Sequence, residues 1–130
     1  MGLDGFALNI GDPALSWVRD TLNYMFDYTR DNFPNFKLFI SMDVWATKSE
    51  GWDVHNFDSL LGDFKGHAAY LKGPNGASFI STFSDGGFRD VDWKSFREHW
   101  AQDLYFVPDF DNSTGYIDSD PGEHPLKLVI

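Results

Sequence analysis

The stretch that decides the fold is Phe36-Lys37-Leu38-Phe39-Ile40-Ser41-Met42-Asp43, a short apolar run that turns polar at its end. It is too short for a buried helix, and phenylalanine, leucine and isoleucine supply the bulk that strands favour. Three further runs of the same character span residues 3–10, 77–83 and 104–110. The sequence therefore predicts four strands.

Helical patterns fill the gaps between these strands. In the first gap, Asp12 is predicted to cap a helix that opens on Pro13 and ends near residues 31–34, where Pro34 blocks its continuation. A second helix is predicted over residues 55–71, and a third begins after Asp92 as its cap. The resulting order, β-α-β-α-β-α-β, predicts an α/β fold with a parallel sheet and right-handed crossovers.

Each predicted strand turns polar where it ends. The polar residues are Asn9 after the first strand, Asp43 after the second, Ser84 after the third, and Asp109 and Asp111 after the fourth. Loops that follow the strands build the functional face of a β/α barrel. The same residue types also cap helices and form turns, so both interpretations stay open for each of them.

Aromatic residues make up 18% of the chain, and flat rings are what sugar rings stack upon. Trp45 and Trp52 follow the second strand in a polar loop and are predicted stacking platforms, although Trp52 is equally open to burial in the core. Trp17, Trp93 and Trp100 fall in helical patterns, which predicts that they pack against the core.

Charge and composition exclude several kinds of partner and cofactor. A formal net charge of −10 opposes binding to nucleic acid but carries no penalty with a neutral polysaccharide. No apolar run approaches the roughly 20 residues that span a bilayer, which predicts no membrane partner. The chain lacks cysteine, its four histidines lack metal-ligand spacing, and no nucleotide-binding glycine motif follows a strand, so no metal or cofactor is predicted.

Four motifs, in this order and spacing, resemble the fungal α-1,3-glucanases, also called mutanases, of glycoside hydrolase family 71. They are Gly5-Phe6-Ala7-Leu8-Asn9-Ile10-Gly11, the Phe36 stretch quoted above, Phe79-Ile80-Ser81-Thr82-Phe83 and Tyr105-Phe106-Val107-Pro108-Asp109-Phe110. The likeness covers roughly residues 2 to 122. It divides the chain into a partial β/α-barrel hydrolase domain over residues 1–122 and an atypical tail over 123–130.

The resemblance implies a (β/α)8 barrel, secretion, and hydrolysis of α-1,3-linked glucan in fungal cell walls. No signal peptide is predicted in this chain, since no basic segment followed by an apolar one opens it. Such a barrel takes about 250 residues, so we expect a part of it, with about four strands and three helices and with open edges that favour self-association. The inner face of that partial barrel is predicted to include Phe6, Leu8, Leu38, Ile40, Phe79 and Phe106.

Glycosidic cleavage usually needs two carboxyl groups, and members of this family are understood to invert, which implies a separation of about 6.5–9.5 Å. Asp43 and Asp109 are the candidate catalytic pair. In the family, however, the carboxylates thought to do the main chemistry lie on later strands, beyond Ile130. Asp43 is therefore interpreted as a substrate-binding or supporting acid.

The predicted substrate-binding residues are Asn9, Trp45, Trp52, Ser84 and Asp111, and Asp111 is at least as well explained as the first residue of a turn. Three hypotheses follow: a segment of an α-1,3-glucan hydrolase, a fragment that binds glucan without turnover, or an inactive remnant.

Overall fold

A computed structural model describes residues 2–83 and 88–109 of the chain. Its strands are β1 (Gly5–Ile10), β2 (Lys37–Asp43), β3 (Ser78–Phe83) and β4 (Leu104–Val107). Its helices are α1 (Ser16–Asn32), α2 (Val44–Ser49), α3 (Asp58–Phe64) and α4 (Asp90–Trp100). Short 3-10 turns cover Val54–Phe57, Pro74–Gly76 and Ala101–Asp103.

The four strands form one parallel sheet in the order β1-β2-β3-β4, as the sequence predicts. Asn9 lies level with Ser41, Ser41 with Ser81, and Ser81 with Val107, so the four carboxyl ends meet at one edge. Among the four strands of the described residues, each therefore pairs with the strands that precede and follow it in the chain. A doubly wound sheet would instead reverse its strand order at a switch point.

The hydrophobic core lies on one face of this sheet. The buried apolar residues of the strands all have even numbers and share that face, and they are Ile10, Leu38, Ile40, Met42, Ile80 and Leu104. Helices α1, α3 and α4 pack on this face, and Phe26 of α1 stacks on Phe64 of α3 at a centroid distance of 5.2 Å. Odd-numbered residues point to the opposite face, which we call the open face.

The six residues predicted for one inner face do not share a face, and those of β1, β2 and β4 lie on the side that the helices cover. Leu38 is 1% exposed and Ile40 is 0% exposed beneath the helices. Leu8 and Phe106 also pack against this helix-covered core. Of the six predicted residues, Phe79 alone lies on the open face, since side chains alternate along each strand.

The predicted second helix is also only partly correct. Helix α3 ends at Phe64, and the chain then turns so that Tyr70 forms a parallel bridge with Leu38 of β2. This bridge satisfies backbone groups of β2 that β3 does not reach, because the pairing of β2 with β3 starts at Ile40. Pairing with β2, which is distant in sequence, thus overrides the helical pattern of residues 65–71.

Two helix caps differ from the prediction. The side chain of Asp12 accepts a hydrogen bond from the backbone N–H of Ala14 at 2.9 Å, which forms a turn, and helix α1 begins later at Ser16. Asp92 lies inside α4, which begins at Asp90, and its Oδ2 accepts from the N–H of Arg89 at 3.0 Å.

Candidate functional site

Three of the predicted site residues meet at the carboxyl edge of the sheet, which we call the rim. Asn9 lies near the end of β1, Asp43 is the last residue of β2, and Asp109 follows β4. Ser84 and Asp111 lie outside the described residues. The rim therefore collects polar side chains from strands that are distant in sequence, as expected for parallel strands.

Asp43 is held at the rim by hydrogen bonds to both oxygens. Its Oδ1 accepts from the N–H of Ala46 at 3.2 Å and so caps helix α2. Its Oδ2 accepts from Nδ2 of Asn9 at 3.2 Å. The carboxylate is half-buried and oriented from two directions, which leaves it free lone pairs for a further donor such as a sugar hydroxyl.

The loop after β1 is braced against helix α2, which directly follows β2. The hydroxyl of Thr47, fully buried, lies 2.8 Å from the carbonyl oxygens of both Gly11 and Asp43. A Cβ atom on Gly11 would lie only 2.7 Å from Cβ of Ala46, so the loop needs glycine at this point. This bracing fixes the distance between Asn9 and Asp43.

Asp109 is positioned through its backbone. Its N–H donates to Oγ1 of Thr82 at 2.8 Å, which ties the segment after β4 to the end of β3. The residue is exposed. Strand β3 separates Asp43 from Asp109, and neighbouring strands lie about 4.8 Å apart, so the backbones of the two residues are separated by roughly 10 Å.

Exposed aromatic residues follow Asp43 in the chain, and another is its neighbour in the sheet. Trp45 lies in the first turn of α2 rather than in a loop and is 67% exposed, whereas Trp52 follows α2 and is 36% exposed. Phe83, which was not predicted as a site residue, lies level with Asp43 on the neighbouring strand and is 60% exposed. Its position at the carboxyl end of a predicted strand was the one signal in the sequence that could have suggested it.

The other tryptophans divide between core and surface. Trp93 and Trp100 are 3% and 8% exposed, which confirms that they pack in the core. Trp17 is 62% exposed, so the prediction that it packs was wrong. Its position in α1 directs it away from the stripe formed by Val18, Leu22 and Phe26.

A second polar cluster joins α3 to α4. Nδ1 of His55 lies 3.0 Å from Oδ2 of Asp58, and Nε2 of His55 lies 2.9 Å from Oγ of Ser95. Oδ1 of Asp58 also accepts from Nε1 of Trp100 at 3.0 Å. Ser95 is exposed in the middle of α4, where backbone N–H groups are used within the helix and cannot form an oxyanion hole. We therefore interpret the cluster as a clamp between helices.

Within residues 2–83 and 88–109, no group of three or more histidine, aspartate or glutamate side chains lies close enough to hold a metal ion. Over the same residues, no helix is both long enough and apolar enough to cross a membrane.

The model of the glycosyl hydrolase family 71 matches residues 1–122. Among curated proteins, the glucan endo-1,3-alpha-glucosidase agn1 of Schizosaccharomyces pombe is 30% identical over 118 residues, an alignment that covers 83% of this chain and 26% of the relative. The chain thus spans about a quarter of that relative's length. No solved structure matches the chain.

Proposed function

Because the chain belongs to glycosyl hydrolase family 71, we propose that it is a segment of a glycosidase that hydrolyses the α-1,3-glucan of fungal cell walls. The relative from Schizosaccharomyces pombe is named for endo-acting hydrolysis of such a glucan. A polymer in the wall is reached from outside the cell, so the same proposal makes the full protein a secreted one.

The observation that carries this proposal is the rim around Asp43. A carboxylate oriented by Asn9 lies level with the exposed Phe83 of the neighbouring strand and two residues before the exposed Trp45. Sugar sites combine these two elements, since hydroxyl groups donate to fixed carboxylates and the apolar faces of the sugar stack on rings. The net charge of −10 favours a neutral polymer over an anionic one.

Within this proposal, Asp43 and Asn9 bind sugar hydroxyls, and Trp45 and Trp52 stack on sugar rings. Asp109 faces the same substrate from the end of β4, and Ser84 and Asp111 are proposed contacts from the loops after β3 and β4. The backbones of Asp43 and Asp109 are separated by roughly 10 Å, whereas the range of about 6.5–9.5 Å for an inverting pair refers to the distance between the two carboxyl groups. Asp43 is proposed as a binding or supporting acid, since in the family the principal carboxylates follow later strands.

We also propose that the sheet is half of a (β/α)8 barrel. The sequential strand order, the parallel pairing and the coverage of one face by helices all agree with such a segment. The open face would then be the interior of the barrel, and the rim would be the end at which these barrels bind substrate.

A second candidate is a fragment that binds glucan without turning it over. The same rim favours it, because the described residues supply sugar contacts while the principal carboxylates are expected elsewhere. The two candidates differ in one measurement. Release of reducing sugar by the 130-residue chain at a rate comparable to that of a full-length relative would support a complete enzyme with Asp43 and Asp109 as a working pair.

The experiment is calorimetric titration of the chain with soluble α-1,3-linked glucose oligosaccharides, with β-1,3-linked oligosaccharides of equal length as the control ligand. We expect binding of the α-linked series, weakened about two- to tenfold by Trp45→Ala or Phe83→Ala, since a ring contact contributes about 0.5–1.5 kcal/mol. Tyr24→Ala is the matched control, because Tyr24 is 68% exposed on α1 and far in sequence from the rim. Equal binding of both series would overturn the proposal.

A further inference from the structure

Thr47 is a polar residue buried beneath the rim. Helix α2 has two buried residues, Val44 and Thr47, and Thr47 is 0% exposed. Burial of a hydroxyl is unfavourable unless the hydroxyl is hydrogen-bonded. Here both the hydroxyl and the backbone carbonyl of Thr47 form hydrogen bonds, and the two groups bond to different parts of the rim.

The hydroxyl of Thr47 connects the segments that carry Asn9 and Asp43. Its bond to the carbonyl of Asp43 reaches back four residues, a contact that threonine and serine commonly form in helices. Its bond to the carbonyl of Gly11 instead crosses to the segment after β1, two residues beyond Asn9. The second bond therefore ties the end of β1 to the helix that Asp43 caps.

The carbonyl of Thr47 positions Trp52. Its oxygen accepts from the N–H of Trp52 at 3.1 Å, and the N–H of Gly51 donates to the carbonyl of Lys48 at 2.9 Å. Gly51 is left-handed, with a φ of 83°. This pair of bonds around a left-handed glycine is the Schellman motif that ends many helices. The backbone of Trp52 is thus fixed to α2 through Thr47.

We infer that Thr47 is a positioning residue for glucan binding. It fixes Asn9, Asp43 and Trp52 relative to one another. The inference rests on the proposed function, in which these three residues contact sugar, whereas Thr47 is fully buried and acts only through them.

The fixed placement matters because two kinds of contact must form on the same oligosaccharide. Asn9 and Asp43 bind hydroxyl groups, and the ring of Trp52 stacks on a sugar face. The separation between these groups decides which glycosidic linkage allows both contacts at once. Groups held in place before binding also lose less entropy when the ligand arrives, which raises affinity.

The first test is calorimetric titration of Thr47→Val and Thr47→Ser with the α-1,3-linked and β-1,3-linked oligosaccharides. Valine keeps the shape of threonine but lacks the hydroxyl, so we expect the α-linked series to bind about three- to tenfold more weakly, as for one lost hydrogen bond. The preference for the α-linked series should fall as well. Serine keeps the hydroxyl and should restore affinity to within about twofold of the parent.

Thr29→Val is the matched control for burial and chemistry. Thr29 is 7% exposed in the last turn of α1, and α1 leads from the rim back to the amino end of the sheet. Urea unfolding of each variant gives its stability beside its affinity. We expect Thr29→Val to leave the affinity within about twofold of the parent, whatever stability it loses.

The second test changes Gly51, where the Schellman motif can be weakened without a clash. A Cβ atom on Gly51 would meet nothing within 4 Å, so Gly51→Ala adds only the strain of a left-handed alanine. Asparagine tolerates this conformation, so Gly51→Asn is the control. Gly51→Ala should weaken binding of the α-linked series about threefold and Gly51→Asn should not, and Gly51→Ala should have no further effect in a chain that carries Trp52→Ala.

The outcomes separate this inference from the proposed function. A parent that binds the α-linked series while Thr47→Val binds it equally well would overturn the inference alone. The same holds if Thr47→Ser restores nothing, or if Thr29→Val loses as much affinity as Thr47→Val, since Thr47 would then have only a structural role. A parent that binds neither series would overturn the proposed function, and the inference with it. Circular dichroism verifies that each variant is folded.

Discussion

Asn9 at the end of β1 donates a hydrogen bond to Asp43 at the end of β2, with 3.2 Å between Nδ2 and Oδ2. The two side chains are neighbours only because the strands are parallel and in register, since Asn9 lies level with Ser41. Asp43 meanwhile caps α2 through its other oxygen. One carboxylate thus links two strands and a helix, and its two bonds can be separated by mutation.

The first prediction concerns how much each of the two hydrogen bonds of Asp43 contributes to stability. Asn9→Ala removes one exposed hydrogen bond and should lower the free energy of unfolding by about 0.5 kcal/mol. Asp43→Ala removes the cap as well and should lower it by about 1–2 kcal/mol, whereas Asp43→Asn keeps an acceptor oxygen and should recover most of that loss. Urea unfolding of the three variants measures this order. Equal losses for Asn9→Ala and Asp43→Ala would show that the cap contributes nothing.

The second prediction concerns the close approach of Gly11 to Ala46. Gly11→Ala would bring two Cβ atoms to 2.7 Å, and we expect it to lower the free energy of unfolding by about 1–3 kcal/mol. Ala46→Gly alone should cost about 0.5–1 kcal/mol of helix stability, and it should relieve the clash in the double variant. A double-mutant cycle from thermal melts measures the coupling between the two sites. Simple additivity would contradict the predicted contact.

The third prediction tests the clamp between α3 and α4. Asp58→Ala leaves Nε1 of Trp100 without its acceptor, and Trp100 is 8% exposed, so we expect a loss of about 1–3 kcal/mol. Asp58→Asn retains an oxygen for Trp100 and should lose less. Chemical unfolding followed by tryptophan fluorescence measures both variants. The Ser95→Ala variant should stay within about 0.5 kcal/mol of the parent, because Ser95 is exposed.

The fourth prediction concerns alkaline pH. Tyr70 is 1% exposed, and its burial raises the pKa of the phenol above the ordinary value of 10.0, against the opposite effect of a hydrogen bond from the N–H of Ile40. Above pH 10 the unfolded chain releases this proton while the folded chain keeps it, so the unfolded state binds fewer protons and the free energy of unfolding falls as pH rises.

Tyr70→Phe removes this titration and should flatten the fall in stability above pH 10, at the cost of about 0.5–1.5 kcal/mol at neutral pH for the lost hydrogen bond. Burial lowers the pKa of the neighbouring Lys72, which acts in the opposite direction, so the difference between Tyr70→Phe and its parent isolates the tyrosine. Parallel stability curves for the two proteins between pH 8 and 11 would contradict this account.

The sequence predicts the order of the strands and their direction well. Phe36 to Asp43 and its three counterparts are short, apolar and separated by helical patterns, and this alternation permits few topologies. It also brings Asn9, Asp43 and Asp109 to one edge of the sheet, because strands that share a direction end together. The roles assigned to these residues remain predictions, as does the division of the chain at residue 122, which lies outside the described residues.

The sequence does not show which alternate residues of each strand face the helices. In β2, Leu38, Phe39 and Ile40 are all apolar, so no alternation of polar and apolar residues tells which face the helices cover. Trp45 was predicted to lie in a loop, because α2 has only six residues and shows no apolar stripe that would predict a helix. Tyr70 does not lie in a helix as predicted, because its bridge to Leu38 of β2, which is distant in sequence, determines its conformation.

The consecutive order of the strands has a consequence for how the chain acquires its structure. Every strand pair joins strands that are consecutive in the chain, and the connections contain α1, then α2 and α3, then α4. Each pairing step therefore closes only the segment between two consecutive strands, and the entropy cost of closure grows slowly with the length of that segment. Strands β1 and β2 can form with α1 before β3 has left the ribosome, and each later unit adds to a template that already exists. Folding of this chain is thus expected to proceed with the direction of synthesis, one strand and its helix at a time.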